Sequence, residues 1–184
     1  MKKEIRSSIL EKRVSLSREE IQKMSIEIKD KLFSLDEFKS RKNVMFYVSF
    51  KSEVDTHLMA REALRDKNVS IPKLVGKNIE PSLINDFDNL LESRNFGMLE
   101  PIELIKVNYK NIDLIIVPGV VFDLRGHRIG SGLGYYDKFL KKIPKAFKIG
   151  LAFDFQVVEN IPNEVHDIPV DMIVTEKRII VSNK

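Results

Sequence analysis

Residues 43–50 read NVMFYVSF, and residues 69–72 read VSIP, a run that ends at a proline expected to stop a strand. Both runs are short and rich in β-branched or aromatic residues, as buried strands of a parallel sheet are. Between them, Thr56 can cap a helix that continues to about Arg65. Strand, helix and strand in this order make a βαβ unit, whose crossover is almost always right-handed. The segment 43–73 therefore predicts an α/β protein with a parallel sheet.

The sequence predicts further elements on both sides of this unit. Apolar residues recur at helical spacing from Ile5 to Val14, which indicates a first amphipathic helix. Ser17 and Glu20 form a capping-box pattern that should begin a second helix. Residues 95–101, NFGMLEP, are expected to form an ordered loop because they contain glycine and proline. The remaining predicted elements are strands at 113–118, 147–153, 172–175 and 178–181, and a helix from about Tyr135 to Lys142.

Length and composition set the class of protein. The chain has 184 residues, enough for one full hydrophobic core, so we expect a single domain over residues 1–184. No apolar run approaches the roughly 20 residues of a membrane helix. The charged N-terminus lacks a signal-peptide pattern, so a cytoplasmic protein is expected. Because the chain has no cysteine, disulfides, thiolate nucleophiles and thiolate metal sites are excluded, and catalysis must use oxygen, nitrogen or a hard metal.

The charge of the chain is weak evidence for a nucleic-acid partner. The chain carries 31 basic and 27 acidic residues, a formal net charge of +4 and a pI near 9.1. These charges are interleaved, and no nucleic-acid-binding motif is recognisable. A mild positive bias suits small polyanionic ligands equally well. A basic RNA-binding module stays an alternative at this point.

The segment 118–140, PGVVFDLRGHRIGSGLGYYDKFL, holds most of the chemical information. Glycines alternate over 130–134, where they allow backbone N–H groups to turn toward one point, and the following helix adds the positive end of its dipole. Such a loop can cradle a phosphate. Arg128 can contact a phosphate through both terminal amino groups, and Asp137 can hold the Mg²⁺ that accompanies ATP.

The same residues also have a purely structural interpretation. The glycines of 130–134 can shape a tight turn between a strand and a helix, and Asp137 can stabilise the positive start of that helix. The loop lacks the Gly-Lys-Ser/Thr of a Walker A motif and is not a Rossmann fingerprint. Another phosphate-binding enzyme of the same fold class, such as a sugar-phosphate isomerase or a CoA transferase, is therefore a rival interpretation.

The wider pattern resembles the signature of 5-formyltetrahydrofolate cyclo-ligases. In that family a Pro-Gly pair, Phe-Asp, Gly-x-Arg, three alternating glycines and Tyr-Tyr-Asp follow one another, and the resemblance extends over nearly the whole chain. It implies a single-domain α/β fold of the NagB/RpiA/CoA transferase-like type: a mainly parallel open sheet flanked by helices, with two N-terminal helices. The matching residues are Pro118, Gly119, Phe122, Asp123, Gly126, Arg128, Gly130, Gly132, Gly134, Tyr135, Tyr136 and Asp137.

The resemblance also implies a reaction. ATP would phosphorylate the formyl oxygen of 5-formyltetrahydrofolate, and N10 would then attack the activated carbon. The products would be 5,10-methenyltetrahydrofolate, ADP and phosphate. Mg²⁺ is the implied cofactor and ATP the co-substrate. The expected partners are small molecules, with no nucleic acid and no membrane, and the expected oligomeric state is a monomer.

Four overlapping groups of site residues follow from the resemblance. The catalytic residues would be Arg128, Tyr135 and Asp137. The metal ligands would be Asp137 and Asp171, with Asp167 as the nearby competitor of Asp171. The ATP-binding residues would be Lys2, Lys3, Arg6, Arg128, Ile129, Gly130, Ser131, Gly132, Leu133, Gly134, Tyr135 and Tyr136. The folate-binding residues would be Val48, Glu53, Phe96, Ser131, Gly132, Leu133, Gly134 and Tyr135.

Physical arguments accompany some of these assignments. Lys2 and Arg6 are four residues apart on the first helix, so both side chains can reach one polyphosphate; a solvated basic helix end is the alternative. Glu53 follows the first strand, where ligands bind in open α/β sheets, and would otherwise be a solvated loop carboxylate. Phe96 and Tyr135 can stack on the pterin ring, and Phe96 fits a core position equally well.

Overall fold

The structure of the chain is a computed structural model that describes residues 2–87, 90–92, 97–162, 164 and 167–183. None of the described helices has the length and hydrophobicity needed to cross a membrane. The α-helices are α1 (Lys2–Val14), α2 (Arg18–Ser34), α3 (Asp36–Lys39), α4 (His57–Ala63) and α5 (Tyr135–Leu140). The strands are β1 (Asn43–Met45), β2 (Asn68–Val75), β3 (Asn78–Ile84), β4 (Leu90–Glu92), β5 (Leu99–Pro101), β6 (Leu114–Val117), β7 (Val121–Asp123), β8 (Arg128–Ile129), β9 (Phe147–Leu151), β10 (Val157–Val158), β11 (Met172–Val174) and β12 (Ile179–Val181).

Seven strands form the main sheet, in the order β12-β11-β9-β6-β1-β2-β3. The five inner strands run parallel to one another. An antiparallel strand lies at each edge, β12 beside β11 and β3 beside β2. The strands β1 and β2, joined through α4, form the predicted βαβ unit, in which Asn43 lies opposite Asn68. The prediction of an open, mainly parallel sheet is confirmed.

Side chains of the central strands alternate between two hydrophobic cores. On β6, Leu114 and Ile116 belong to one core, while Ile115 and Val117 belong to the other, and all four are fully buried. The first core receives apolar side chains from α2, α3 and α4, and the second receives them from α5. A parallel strand that is buried on both faces needs such a continuous apolar run. Helices therefore cover both faces of the main sheet, as predicted.

A second sheet of three short strands, β10-β7-β8, carries the N-terminal helix. Ile9 of α1 packs with Val120, Val121 and Ile129 in a third apolar cluster. The strands β4 and β5 pair separately as a two-stranded antiparallel sheet. The apolar side of α1 is thus anchored on β7 and β8.

Two strand boundaries differ from the prediction. β1 ends at Met45, and the buried residues 46–48 continue as irregular chain. β2 does not stop at Pro72 but continues to Val75. Pro72 lies opposite Pro81 of β3, so two residues that lack an N–H group face each other, and β1 pairs with β2 only as far as residue 70. Because no ladder hydrogen bond is lost at this position, the proline does not end the strand.

Other local predictions have mixed outcomes. The capping box is present, since the Glu20 N–H donates to Ser17 Oγ at 3.1 Å and the Ser17 N–H donates to the Glu20 carboxylate at 2.7 Å. The expected loop 95–101 is partly wrong, because its residues 99–101 pair with β4. The Thr56 hydroxyl does not cap α4, since it donates to the Tyr47 carbonyl at 2.6 Å. Both α4 and α5 end two residues earlier than predicted.

Gly119 and Gly150 leave space for the buried ring of Phe122. A Cβ atom added at Gly119 or at Gly150 would lie 2.5 Å from the ring of Phe122, which is fully buried on β7. Overpacking of this kind typically costs about 1–3 kcal/mol. We expect Gly150→Ala to lower the free energy of unfolding by this amount in a urea titration, and Phe122→Leu in the same chain to restore part of it.

The matched control for this prediction is Gly130→Ala. A Cβ atom at Gly130 would meet nothing within 4 Å, and the φ angle of Gly130 is not positive. The change should alter the free energy of unfolding by less than about 0.5 kcal/mol. Equal stability losses at positions 130 and 150 would contradict the packing explanation.

Candidate active site

A cavity of about 430 Å³ opens beyond the carboxyl ends of β1 and β6. Val48, which follows β1, and Pro118, which follows β6, both lie on its wall. Much of the rest of the wall comes from α1, the hairpin of β2 and β3, and the glycine loop, residues 130–134. Ligands of open parallel α/β sheets bind at this edge of the sheet. The volume is typical of a small-molecule site.

The helix α1 presents one face to this cavity. Because Ile9 is buried against β7 and β8, the adjoining face of the helix, which carries Lys2, Arg6, Leu10 and Arg13, lines the cavity. These four positions recur at helical spacing, so they lie along one stripe. Three cationic side chains therefore project along one wall.

The glycine loop lies against this helix. Gly132 has a φ angle of 107° and Gly134 one of 67°, a region that non-glycine residues rarely adopt. A Cβ atom added at Gly132 would lie 3.1 Å from a terminal nitrogen of Arg6. The backbone conformation thus favours glycine at position 132, and the Arg6 guanidinium lies close to it. Gly134 is the N-cap residue of α5.

A buried ion pair joins the strand before the loop to the helix after it. Arg128 of β8 donates from Nη2 to the Asp137 carboxylate at 2.7 Å and from Nη1 to the Ile168 carbonyl at 2.9 Å. The Arg128 side chain is only 4% exposed, whereas that of Asp137 is 37% exposed. Burial lowers the pKa of Arg128, and the charge of Asp137 opposes that effect. Arg128 therefore fixes the Asp137 carboxylate at the cavity wall.

A second ion pair closes the same end of the cavity. Lys2 Nζ donates to Asp167 at 3.1 Å and to Glu164 at 3.3 Å. Burial lowers the pKa of the Lys2 ammonium, but the hydrogen bonds and charges of Asp167 and Glu164 outweigh this and raise it. Lys2 and Asp167 both line the cavity. We call Lys2, Arg6, Asp137 and Asp167, together with the glycine loop, the glycine-loop end of the cavity.

Another part of the wall contains a carboxylate and an arginine. Glu53 accepts the Phe50 N–H at 2.9 Å, and Arg13 donates from Nε to Ser52 Oγ at 3.2 Å. Burial raises the pKa of the Glu53 carboxyl group, while the Phe50 N–H and the Arg13 charge act in the opposite direction. We call Arg13, Tyr47, Val48 and Glu53 the Glu53 end of the cavity.

Apolar side chains line a further part of the cavity wall. The β2–β3 hairpin is tied to β5 by Lys73, whose Nζ donates to the carbonyls of Pro101 and Ile102 at 2.7 and 2.9 Å. Lys73 is thereby committed to backbone contacts. The apolar residues of this part of the wall are Leu10, Pro72, Leu74, Ile79, Met98 and Leu99.

Comparison with known proteins identifies the family. The model of the 5-formyltetrahydrofolate cyclo-ligase family matches residues 1–176. The chain belongs to this family. The probable 5-formyltetrahydrofolate cyclo-ligase of Schizosaccharomyces pombe is 33% identical over 178 residues, with 87% of each chain covered. The 5-formyltetrahydrofolate cyclo-ligase of Haemophilus influenzae is 30% identical over 180 residues, with 92% of this chain and 94% of the relative covered.

A solved structure agrees with this assignment. The NMR structure of Aquifex aeolicus 5,10-methenyltetrahydrofolate synthetase matches with a TM-score of 0.90 at 42% sequence identity, covering 100% of this chain and 93% of the other. The predicted family, enzyme class and fold are therefore confirmed.

Most of the site residues predicted for this member of the cyclo-ligase family meet at one cavity. Their individual roles stay predictions, since geometry alone does not assign them. Those on the cavity wall are Lys2, Arg6, Val48, Glu53, Arg128, Ile129, Gly130, Ser131, Gly132, Leu133, Gly134, Tyr135, Tyr136 and Asp137.

Two predicted site residues, Lys3 and Asp171, do not line the cavity. Lys3 lies on the exposed side of α1 and outside the lining. The Asp171 carboxylate accepts the Lys148 N–H at 2.8 Å, next to β9, and also lies outside the lining. Phe96 is outside the described residues. Asp167, four residues before Asp171, does line the cavity.

Arg13 is a cavity residue that the sequence reasoning missed. The signal was available, because Arg13 lies seven residues after Arg6 and therefore on the same helical face. Only the Lys2 and Arg6 pair matched the family pattern, so Arg13 was not assigned to the site. The apolar hairpin wall was missed for another reason: residues 74–110 show weak periodicity.

Asp123 has a structural position that separates it from the site acids. It is fully buried, and its carboxylate accepts the N–H groups of Arg125, His127 and Ile161 at 3.0, 2.9 and 3.2 Å. Asp123→Ala would leave these N–H groups unsatisfied, which costs about 1–3 kcal/mol for a buried group. We expect a loss of at least about 2 kcal/mol in urea denaturation.

Asp30→Ala is the matched control, because the Asp30 side chain is 68% exposed and its ion-pair partner Lys29 also contacts Glu62. Its stability loss should be smaller than that of Asp123→Ala. If Asp123→Ala were as stable as the parent chain, the structural assignment of Asp123 would be wrong.

Proposed function

We propose that the chain catalyses the ATP- and Mg²⁺-dependent cyclisation of 5-formyltetrahydrofolate to 5,10-methenyltetrahydrofolate. One observation carries the proposal: the cationic face of α1, the glycine loop and Glu53 all line a single cavity. Such a cavity can hold a polyphosphate at the glycine-loop end and a polar aromatic ring at the Glu53 end. Membership of the family supports the conversion of 5-formyltetrahydrofolate to 5,10-methenyltetrahydrofolate.

The chemistry of this reaction explains why ATP is needed. An amide oxygen is a poor leaving group, and transfer of the γ-phosphoryl group to the formyl oxygen makes it a good one. The bond between the γ-phosphorus and the β–γ bridging oxygen breaks, and ADP leaves. N10 then attacks the formyl carbon, and the C–O bond breaks. The formyl oxygen and the N10 proton both leave in hydrogen phosphate, so the sum is methenyltetrahydrofolate, ADP and phosphate.

The glycine-loop end is suited to the ATP phosphates. Arg6 approaches Gly132 closely, and Lys2 lies one helical turn away on the same face. Two cations in the first turns of a helix repel each other and the helix dipole, so an anion bound between them relieves a local cost. Lys2 would exchange its contacts with Asp167 and Glu164 for phosphate oxygens when ATP binds.

The residues at this end also fit a Mg²⁺ ion. Mg²⁺ is commonly held by one or two carboxylates together with substrate phosphates and water. Asp137 and Asp167 line the same cavity as the loop, and we assign the metal to this pair in place of Asp137 with Asp171. No cluster of three acidic or histidine side chains suited to a metal occurs in the described part of the chain, so the phosphates would complete the ligand set. Bound Mg²⁺ would neutralise charge on the phosphates.

The Glu53 end and the apolar wall are suited to the folate. Glu53 can accept hydrogen bonds from the N–H groups of the pterin, and Val48 and Tyr135 offer apolar surface to the ring. Arg128 acts through Asp137, because both of its terminal nitrogens are engaged by Asp137 and the Ile168 carbonyl. Catalysis then consists of aligning the formyl oxygen with the γ-phosphate and neutralising charge, and no covalent nucleophile is required.

The proposal is tested directly by an absorbance assay for methenyltetrahydrofolate with purified protein, 5-formyltetrahydrofolate, Mg²⁺ and ATP. Product formation that requires ATP supports the proposal. Absence of turnover, together with strongly salt-dependent binding to RNA, would favour the nucleic-acid module instead. Cytoplasmic location, the single domain and the monomeric state stay predictions.

The double substitution Lys2→Ala with Arg6→Ala tests the phosphate assignment. Charge-assisted hydrogen bonds are worth about 1.5–3 kcal/mol each, so the KM for ATP should rise at least about tenfold while the KM for folate changes much less. Lys3→Ala is the matched control, since Lys3 is exposed and outside the lining. An unchanged KM for ATP in the double variant would remove both residues from the site.

Asp137→Asn tests the metal assignment. Loss of the carboxylate charge should lower kcat/KM at least about a hundredfold, and added Mg²⁺ should recover part of the loss. Asp167→Asn should also lose activity that added Mg²⁺ partly recovers, as Asp137→Asn does. Asp171→Asn should retain the Mg²⁺ dependence of the parent chain. Thermal melts accompany each titration. Normal Mg²⁺ dependence in a folded Asp137→Asn chain would show that this carboxylate only stabilises the start of α5.

A further inference from the structure

Arg13 is a buried cation whose charge is not matched by an ion pair. Arg13 is only 8% exposed, and it lines the cavity at the Glu53 end. Nε donates to Ser52 Oγ at 3.2 Å, and the Arg13 side chain makes no other hydrogen bond to a described residue. The two terminal amino groups, which carry most of the donors, are therefore available to a ligand. A buried guanidinium without such a ligand is unfavourable.

The position of Arg13 separates it from the phosphate site. Arg13 follows Arg6 by seven residues, which corresponds to about 10 Å along a helix axis. Its neighbour at the Glu53 end is the Glu53 carboxyl group, whose pKa the Arg13 charge lowers against the effect of burial. A second anion placed there would be repelled by Glu53. The ligand group that fits both side chains is neutral and offers donors to Glu53 and an acceptor to Arg13.

We propose that Arg13 is a specificity-determining residue that binds the O4 carbonyl oxygen of the pterin ring. This inference rests on the proposed function and adds a residue to it. Along one edge the pterin presents the 2-amino group, then N3–H, then O4, which is the order donor, donor, acceptor. The Glu53 carboxylate takes the two donors, and the Arg13 guanidinium donates to O4.

The Ser52 contact explains how Arg13 is held for this task. Ser52 and Glu53 are adjacent in the chain, and the Ser52 hydroxyl accepts from Arg13 Nε. The guanidinium is thus positioned relative to the carboxylate by one short segment that follows β1. Because the fork is planar and rigid, fixing Nε also limits where the terminal amino groups can lie.

This arrangement predicts discrimination at position 4 of the ring. In an analogue with an amino group in place of O4, the acceptor becomes a donor and faces the Arg13 donors, and N3 no longer carries the proton that Glu53 accepts. A site built to hydrogen-bond one pattern rejects the other because buried polar groups are left unpaired. We expect the parent chain to bind 5-formyltetrahydrofolate at least about a hundredfold more tightly than its 4-amino analogue.

The experiment measures binding of both compounds by isothermal titration without ATP, and turnover of 5-formyltetrahydrofolate with ATP, for the parent chain and for Arg13→Met. The variant should bind 5-formyltetrahydrofolate roughly ten- to hundredfold more weakly, keep its KM for ATP, and lose most of the preference for the 4-oxo compound. Lys12→Met is the matched control, because Lys12 is adjacent to Arg13 in the chain but is exposed. The control should behave as the parent chain.

Two further arms exclude other roles for Arg13. 5-Formyltetrahydropteroate lacks the glutamate tail; if Arg13→Met weakened binding of the folate but not of the pteroate, Arg13 would bind the tail and the proposal would be wrong. Arg13→Lys keeps the positive charge without the planar guanidinium and should lose part of the preference for the 4-oxo compound. It provides a second test if Arg13→Met does not fold.

The parent chain also tests the proposal without any substitution. Equal affinity for the 4-oxo and 4-amino compounds would overturn the assignment of Arg13 even if turnover proceeds normally. Absence of turnover with tight, selective folate binding would instead count against the proposed reaction and leave the Arg13 assignment supported.

Discussion

The packing of α1 on the small sheet determines what the rest of the site can do. Ile9 is buried against Val120, Val121 and Ile129, and this contact fixes the rotation of the helix about its axis. Every third or fourth residue on the adjoining face then projects into the cavity. If the helix turned by one residue, Lys3 would replace Lys2 and the cationic stripe would leave the wall. The apolar contact of Ile9 therefore also determines which charged side chains line the cavity.

Burial and pairing give the two ends of the cavity different electrostatic character. At the glycine-loop end, Arg128 and Lys2 each contact an aspartate that lines the cavity, so the acids are held in place before any ligand arrives. At the Glu53 end, Arg13 and Glu53 lie near each other but bond to a hydroxyl and a backbone N–H. In the proposed reaction, the first end would exchange its ionic contacts for contacts with phosphates and metal. The second would offer hydrogen bonds to a neutral polar ring.

The sequence predicted those features of the molecule that depend on local pattern. The βαβ unit, the capping box at Ser17 and the strand 113–118 follow from periodicity and turn residues, and the structure contains all three. The glycine loop was recognisable because alternating glycines allow backbone conformations that other residues rarely adopt. These predictions needed no knowledge of distant contacts.

The features that the sequence missed depend on partners far along the chain. Pro72 remains in a strand only because Pro81 faces it. Asp167 and Asp171 are both acids near the C-terminus, and only the packing around Lys148 removes one of them from the cavity. In the sequence, Arg13 is one of several basic residues on α1. Its position is distinguished only by the contact with Ser52, which lies far along the chain.

The central claim is that the folate and the ATP phosphates meet in one cavity, so that the formyl oxygen itself receives the γ-phosphoryl group. The most direct measurement uses 5-formyltetrahydrofolate with ¹⁸O in the formyl group and mass spectrometry of the phosphate released during turnover. The account predicts one ¹⁸O atom per phosphate. Phosphate that carries no label, with methenyltetrahydrofolate still formed, would contradict it.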